Sequence, residues 1–250
     1  MQIVIDNIEQ FKIFFDVIYD MSSDLVELQF YPDRLVCAVL DRSKTRFFHV
    51  EYDDEFFDEY IIDEVNSVVV FVEDLHNLLK STNRTDVLYL DINDPTMVCK
   101  IESDNGNSRV FEFVLPTEMV TSPSAPHIDL PAIFECNVSD LKQSVKDIGL
   151  IGSDLYRLVV SDGQLTVMTS DDIATKYANT IQVDLQNPED NLVCSSAFTL
   201  EYVSQMLKFD KITKDVTLKL GSDMPLFYTF KDELMGVTVN GMIAPRISEE

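Results

Sequence analysis

Residues 116–131 read PTEMVTSPSAPHIDLP, with prolines at positions 116, 123, 126 and 131. Proline lacks a backbone N–H and fixes its own φ angle, so a stretch this rich in proline fits neither a helix interior nor a sheet ladder. We therefore predict an extended segment that connects two domains. The predicted boundaries are residues 1–115 for the first domain, 116–131 for the linker and 132–250 for the second domain.

The two sides of this linker resemble each other in sequence. Residues 23–28, SDLVEL, align without a gap with residues 153–158, SDLYRL. Each side also predicts the same order of elements: a strand, a helix, several strands joined by short turns, a second helix and closing strands. Such a repeat indicates internal duplication. We predict an α+β fold of two duplicated strand-rich domains with two helices each.

The charge of the chain is distributed unevenly. The sequence has 44 Asp and Glu against 19 Lys and Arg, a net charge of −25, which excludes a protein that coats nucleic acid with its whole surface. The four predicted helices cover residues 8–21, 72–82, 139–148 and 199–209. Acidic and basic residues nearly balance when the residues directly after two of them are included, over 8–21, 72–84, 139–148 and 199–211. Two interpretations stay open: solvated lysines on ordinary surface helices, or four helices that face the backbone of one anionic ligand.

The sequence lacks the usual signs of catalysis. It has no phosphate loop, GxGxxG, GxSxG or HExxH motif, and its three histidines lack the spacing of metal ligands. The four cysteines are scattered without a CxxC pair, so we predict buried, reduced thiols. We predict no enzyme activity, no cofactor and no metal site. The chain also has no signal peptide and no apolar run that approaches 18 residues, so we predict no membrane partner and a cytoplasmic location.

Several stretches resemble the DNA sliding clamps of the proliferating cell nuclear antigen type, most of all the archaeal members. They are residues 40–44, LDRSK, with 56–60, FFDEY; residues 223–226, DMPL; and residues 243–247, IAPRI, followed by acidic residues. The resemblance spans the whole chain. It implies a DNA clamp fold and a homotrimer that closes into a ring around duplex DNA. It also implies tethering of DNA polymerase, flap endonuclease and DNA ligase, loading by a clamp loader, and association with the nucleoid if the source is archaeal.

The resemblance also assigns roles to individual residues. The DNA-facing residues it implies are Lys12, His76, Lys80, Arg84, Lys142, Lys146, Lys208 and Lys211. The residues of a partner-peptide pocket are Leu40, Lys44, Thr45, Phe47, Ile128, Leu130, Pro225, Met242, Ala244 and Pro245. Subunit contacts would join strands 109–115 and 175–181 of neighbouring copies, through Arg109, Phe111, Phe113, Lys176, Tyr177 and Thr180.

Other classes of function remain as alternatives. An acidic mimic of DNA that inhibits DNA-processing enzymes would suit the charge, although it gives no reason for nearly neutral helices. A carboxylate-based, metal-dependent enzyme would need acidic residues that converge in space. Within the clamp interpretation, one subunit of a heterotrimer is an alternative to a homotrimer. The mass of the native particle separates a ring from the other classes.

Overall fold

The computed structural model describes residues 1–21, 24–169, 176–186 and 192–246. The chain divides into two compact units that are not continuous in sequence. The first unit comprises Met1–Arg42, Phe48–Ala125 and Lys231–Val239, and the second comprises Ser43–Phe47, Pro126–Phe230 and Asn240–Glu250. Each unit thus takes in a segment from the other half of the sequence, while the predicted boundaries at 115 and 132 stay a prediction.

The first unit holds two helices and most of the strands of the N-terminal half. Its elements are β1 (Gln2–Ile5), α1 (Ile8–Asp20), β2 (Leu25–Tyr31), β3 (Arg34–Leu40), β4 (Arg46–Asp53), a 3-10 turn (Asp54–Phe56), β5 (Glu59–Ile61), β6 (Asn66–Phe71), α2 (Val72–Lys80), β7 (Val87–Asn93), β8 (Thr96–Glu102) and β9 (Ser108–Val114). One antiparallel sheet has the order β5-β1-β7-β8-β9, so β9 lies at its edge. The order β4-β3-β2-β6 forms a second layer.

The core of the first unit follows from simple sequence periods. Strand β2 alternates buried and half-buried side chains, because successive residues of a strand point to opposite faces. Helix α1 buries Phe11 and Phe15 at a spacing of four residues, which places them on one face. Their neighbours Phe14 and Tyr52 are also buried, and the ring centroids of Phe14 and Phe15 lie 4.7 Å apart. This aromatic cluster anchors α1 against the sheets.

The second unit repeats the order of the first. Its elements are β10 (Ala132–Asn137), α3 (Val138–Leu150), β11 (Leu155–Ser161), β12 (Gln164–Met168), β13 (Ala178–Gln182), β14 (Asp184–Leu185), β15 (Val193–Thr199), α4 (Leu200–Met206), a 3-10 turn (Leu207–Lys211), β16 (Asp215–Leu220), β17 (Leu226–Asp232) and β18 (Val237–Ile243). One sheet has the order β13-β12-β11-β15, with β13 at its edge. The neighbours β14-β10-β16-β17-β18 form the other layer, in which the end of β17 and the start of β18 fall within the segment Lys231–Val239 of the first unit. Asn137 caps α3 by accepting the N–H of Ser139 at 2.9 Å.

The structure confirms the four predicted helices, although the last one continues beyond Met206 as a 3-10 turn. The linker contains no helix or strand within residues 116–131. One predicted strand is wrong at its start, because β13 begins at Ala178. At the preceding position, the N–H of Tyr177 donates to the side-chain Oγ1 of Thr169 at 3.1 Å and not to a backbone carbonyl of the ladder. Three residues of predicted features lie outside the described residues: Ser23 of the repeated SDL stretch, Thr175 at the start of the predicted interface strand, and Ile247 at the end of the IAPRI stretch. Within the described ranges, no helix has both the length and the apolar character needed to cross a bilayer.

Candidate functional site

All predicted pocket residues except Leu40 belong to the second unit. The segment 43–47 and the end of β18 meet there, because the N–H of Ala244 donates to the Thr45 carbonyl at 2.7 Å. Phe47 and Met242 are buried beneath this contact, while Ala244 and Pro245 are half-buried. The structure thus brings together, from opposite ends of the sequence, two sides of the predicted pocket.

The linker contributes one buried and one exposed apolar side chain. Leu130 is 7% exposed and Ile128 is 38% exposed. Leu130 packs over Gly221, where an added Cβ would lie 3.1 Å from Leu130 Cδ2 and 2.9 Å from Met224 Sδ. Leu130 would therefore lie at the floor of the predicted pocket, and Ile128 is the linker side chain that solvent can reach.

An aromatic and cationic cluster borders the segment 43–47, and no pattern in the sequence predicted it. The guanidinium of Arg46 lies 4.4 Å from the ring centroid of Tyr202 and donates to Gln205 Oε1. Tyr228 fills the space beside Gly241, where any Cβ would collide with its ring. Burial raises the pKa of Tyr228, and Arg46 offsets only part of that effect, so the phenol stays protonated. These contacts join residues far apart in sequence and have no local motif.

Arg246 fixes the C-terminal segment of the predicted pocket through both its backbone and its side chain. Its N–H donates to the Ala197 carbonyl at 2.7 Å, and its Nη1 lies 2.9 Å from Asp154 Oδ2. Ala244 and Pro245 are therefore held between two backbone hydrogen bonds, at Thr45 and at Ala197. These residues of the predicted pocket therefore have a defined position near the end of the described chain.

The predicted DNA-facing residues of the first unit differ in their surroundings. Lys80 and Arg84 are exposed and Lys12 is half-buried. His76 is largely buried: its ring stacks on Tyr19 at 4.0 Å between centroids, and its Nε2 lies 3.2 Å from Asp16 Oδ1. In this unit α1 and α2 pack against each other.

In the second unit α3 packs against α4 and the 3-10 turn that follows it. Lys142 Nζ lies 2.6 Å from Asp210 Oδ2, so its charge is partly neutralised within the chain. Lys146, Lys208 and Lys211 are exposed. Among the predicted DNA-facing residues, the exposed cations therefore lie on the helices or within a few residues after them.

The two strands predicted to join subunits both lie at sheet edges. On β9, Val110 is 63% and Val114 is 70% exposed, while Phe111 is 36% exposed. Exposed apolar side chains on an edge strand are a surface that proteins usually cover. Arg109 is instead engaged within the chain, since its Nη2 lies 3.4 Å from the buried Asp86 carboxylate. Phe113 is half-buried.

On β13, Thr180 Oγ1 lies 3.3 Å from Thr166 Oγ1 on β12. Tyr177 precedes this strand, and its hydroxyl lies 3.3 Å from both Ser144 Oγ and Asp147 Oδ2 on α3. Lys176, next to it, is exposed. Tyr177 thus ties the start of the edge strand to the helix behind it.

Cysteine and metal chemistry find no support in the described residues. All four cysteines are buried and form no disulfide, which confirms the prediction of reduced, buried thiols. Burial raises the pKa of Cys99 and that of Cys136 to about 12, so neither thiol ionises near neutral pH. In the described part of the chain, no three His, Cys, Asp or Glu side chains converge as metal ligands would.

No protein-family model matches the chain. The chain is 28% identical over 229 residues to the DNA polymerase sliding clamp of Methanothermobacter thermautotrophicus, an alignment that covers 91% of this chain and 90% of the relative. It is 26% identical over 242 residues to the DNA polymerase sliding clamp of Methanobrevibacter smithii, covering 96% and 95%. The chain is thus similar to DNA polymerase sliding clamps over nearly its whole length. This confirms the family resemblance that the sequence showed.

Solved clamp structures share the fold of this clamp over nearly its whole length. Proliferating cell nuclear antigen (PCNA) from Thermococcus kodakaraensis superposes with a TM-score of 0.85 at 17% identity, covering 98% of this chain and 99% of that one. A PCNA2–PCNA3 complex from Sulfolobus tokodaii gives 0.84 at 22% identity, covering 98% and 99%. A. fulgidus PCNA, bound to the C-terminal region of FEN-1, gives 0.84 at 19% identity, covering 100% and 99%. The clamp therefore has the DNA clamp fold.

Proposed function

We propose that this clamp is a ring-forming subunit that encircles duplex DNA and tethers replication and repair enzymes. The observation that carries the proposal is the pair of edge strands, β9 in the first unit and β13 in the second. An edge in one unit that pairs with a different edge in the next copy is a head-to-tail contact, and such contacts generate a ring when the rotation closes. Our proposal is a ring of three identical subunits.

The helices supply the proposed contact with DNA. In each unit, exposed lysines or arginines lie on the helical layer, while the chain as a whole carries a net charge of −25. Lys80, Arg84, Lys146, Lys208 and Lys211 would contact phosphates without reading bases. Such contacts do not depend on sequence, so the ring can slide, and the anionic remainder of the surface repels DNA from other faces.

The pocket in the second unit is the proposed docking site for partner enzymes. It combines the exposed Ile128 with a floor of Leu130 and Met242 and a wall at Ala244 and Pro245. A related clamp is solved with the C-terminal region of FEN-1 bound, which supports recognition of a short peptide. Burying one large apolar side chain contributes about 1.5–3 kcal/mol, so a few anchors suffice for roughly micromolar binding after ordering costs.

In this proposal the clamp acts through binding alone and works in the cytoplasm, at the nucleoid, where its DNA is. Its partners would be DNA polymerase, flap endonuclease and DNA ligase, with a clamp loader that opens the ring. A covalently closed circle of DNA cannot leave a closed ring, whereas a linear duplex can slide out. Retention on DNA therefore distinguishes encirclement from ordinary surface binding.

The test combines mass and topology. Light scattering of the purified protein should give about three times the 28.5 kDa of one chain. Clamp loaded onto a nicked circular plasmid should remain bound during gel filtration and should be released when a restriction enzyme linearises the plasmid. A particle of one chain's mass, or equal retention on circular and linear DNA, would refute the homotrimeric ring.

A further inference from the structure

Ser196 on β15 is completely buried, yet it is one of the most highly bonded side chains near the pocket. Its Oγ accepts the N–H of Met224 at 3.0 Å and donates to the Gly221 carbonyl at 2.8 Å. The Met224 carbonyl oxygen lies 3.2 Å from the same Oγ. One hydroxyl therefore holds both ends of the turn formed by residues 221–224.

This turn has an unfavourable backbone conformation and needs outside support. Asp223 has a φ of 53°, in the left-handed region that a residue with a side chain seldom adopts. The N–H of Asp223 donates to the Ser195 carbonyl at 2.9 Å, and the N–H of Ser195 donates to Ser222 Oγ at 3.3 Å. Hydrogen bonds from Ser195 and Ser196, two consecutive residues of β15, thus hold the turn against the sheet.

The turn formed by residues 221–224 also supports the predicted pocket. Met224 and Leu130 both rest against Gly221, so that a Cβ at this position would make their side chains shift. Pro225, a predicted wall residue, directly follows Met224 and is half-buried. The position of the turn therefore decides where Leu130 and Pro225 stand relative to each other.

We propose that Ser196 is the positioning residue of the partner-peptide pocket, an inference that rests on the docking function proposed above. Ser196 is buried and would not touch the peptide itself. Without its hydroxyl, the Gly221 carbonyl loses its partner in a buried place and the Met224 N–H loses its partner in a part-buried one. Movement of the turn would reduce this cost. Movement of the turn displaces Leu130 and Pro225, and the pocket loses its fit to the peptide.

The experiment measures binding of a synthetic peptide with two adjacent aromatic residues and one aliphatic anchor, by calorimetry on the full-length protein. Ser196→Ala should raise the peptide Kd about tenfold. The control is Thr82→Val in the first unit, because it too removes a buried hydroxyl that donates to a backbone carbonyl, here that of Leu79 at 2.6 Å. The control should lose comparable thermal stability and keep its peptide Kd within about twofold. Equal affinities for the Ser196→Ala variant and the wild-type protein would overturn the proposal.

A double-mutant cycle tests whether Ser196 acts through the turn. Gly221→Ala should also weaken peptide binding, since its Cβ must displace Met224 and Leu130. If both changes act through the turn, the double variant should bind no more weakly than the single variant with the higher Kd. Additive losses would refute the positioning role. Should Ser196→Ala fail to fold, Ser196→Cys, which has only a weak hydrogen-bonding group, replaces it in the cycle.

The outcome for the wild-type protein separates this inference from the proposed function. Peptide binding by the wild type, with no loss in the Ser196 variants, would leave the docking function in place and remove Ser196 from it. No binding by the wild type would refute the pocket itself, and the positioning role with it.

Discussion

At the scale of single residues, the linker shows how neighbouring apolar positions take different roles. Ile128 is 38% exposed and Leu130 is 7% exposed, although only Asp129 separates them. A charge at the buried position would lose its hydration and destabilise the fold, whereas a charge at the exposed position costs the fold little. The exposed residue is therefore the better probe of peptide binding.

We expect Ile128→Glu to raise the Kd of the paired-aromatic peptide at least about tenfold, because it places a charge where an apolar anchor would bind. Its thermal midpoint should stay close to that of the wild type. Met119→Glu is the control in the same linker, since Met119 is 99% exposed and is not a pocket residue. Calorimetry that gives the same Kd for the Ile128 variant and the control would contradict the proposed site.

The cysteines allow a second prediction at this scale. All four are buried and form no disulfide, and burial raises the pKa of Cys99 and Cys136 to about 12. Because the thiolate is the reactive form, the native protein should not react with an aromatic disulfide reagent at pH 8. Unfolding in guanidinium should release four reactive thiols per chain. Reaction of the native protein within minutes would show that a cysteine is accessible.

At the scale of secondary-structure elements, β9 combines an unpaired sheet edge with exposed apolar side chains. We expect the double variant Val110→Asp, Val114→Asp to give a particle of one chain's mass, since it places charges where two subunits would meet. Val193→Asp serves as the control, because Val193 on β15 is 64% exposed and its strand is not a proposed interface. A trimer in the β9 variant by light scattering would place the interface elsewhere.

Helix α3 carries two lysines with different surroundings, so their roles can be compared within one helix. Lys142 and Lys146 lie one turn apart on α3, but Lys142 is paired with Asp210 at 2.6 Å. We expect Lys146→Ala to weaken retention on circular DNA more than Lys142→Ala, because the charge of Lys142 is already partly neutralised. The slope of log affinity against log salt should fall by about one for each phosphate that the variant no longer neutralises. Equal effects of the two variants would argue against a direct role of Lys146 at the DNA backbone.

At the scale of the whole molecule, the net charge of −25 opposes compaction. Repulsion between like charges falls when salt screens them, and the Debye length shortens from about 30 Å at 0.01 M to about 10 Å at 0.1 M salt. We expect the thermal midpoint to rise when NaCl increases over this range, and to rise equally with KCl. A midpoint that falls with either salt would show that attractive ion pairs outweigh the repulsion.

The broad plan of the clamp could be predicted from its amino-acid order alone. The proline-rich linker, the repeated SDL stretches and the 3.6-residue period of four helices each depend on residues close together in the chain. Local periodicity reports which face of an element is buried, so the helices and most strands could be predicted. The scattered cysteines could be assigned to the core in the same way, since each lies within an apolar run.

Only the tertiary structure shows which residues that are far apart in sequence contact each other. The fold places Thr45 against Ala244, Ser196 against Met224, and Tyr228 beside Gly241. It pairs Lys142 with Asp210, although the charge pattern treats Lys142 like the other helix lysines. In this structure β13 begins at Ala178, and the N–H of Tyr177 donates to the side chain of Thr169. These contacts depend on the path of loops and on the packing of separate elements, and a short window of sequence carries no periodic signal for either.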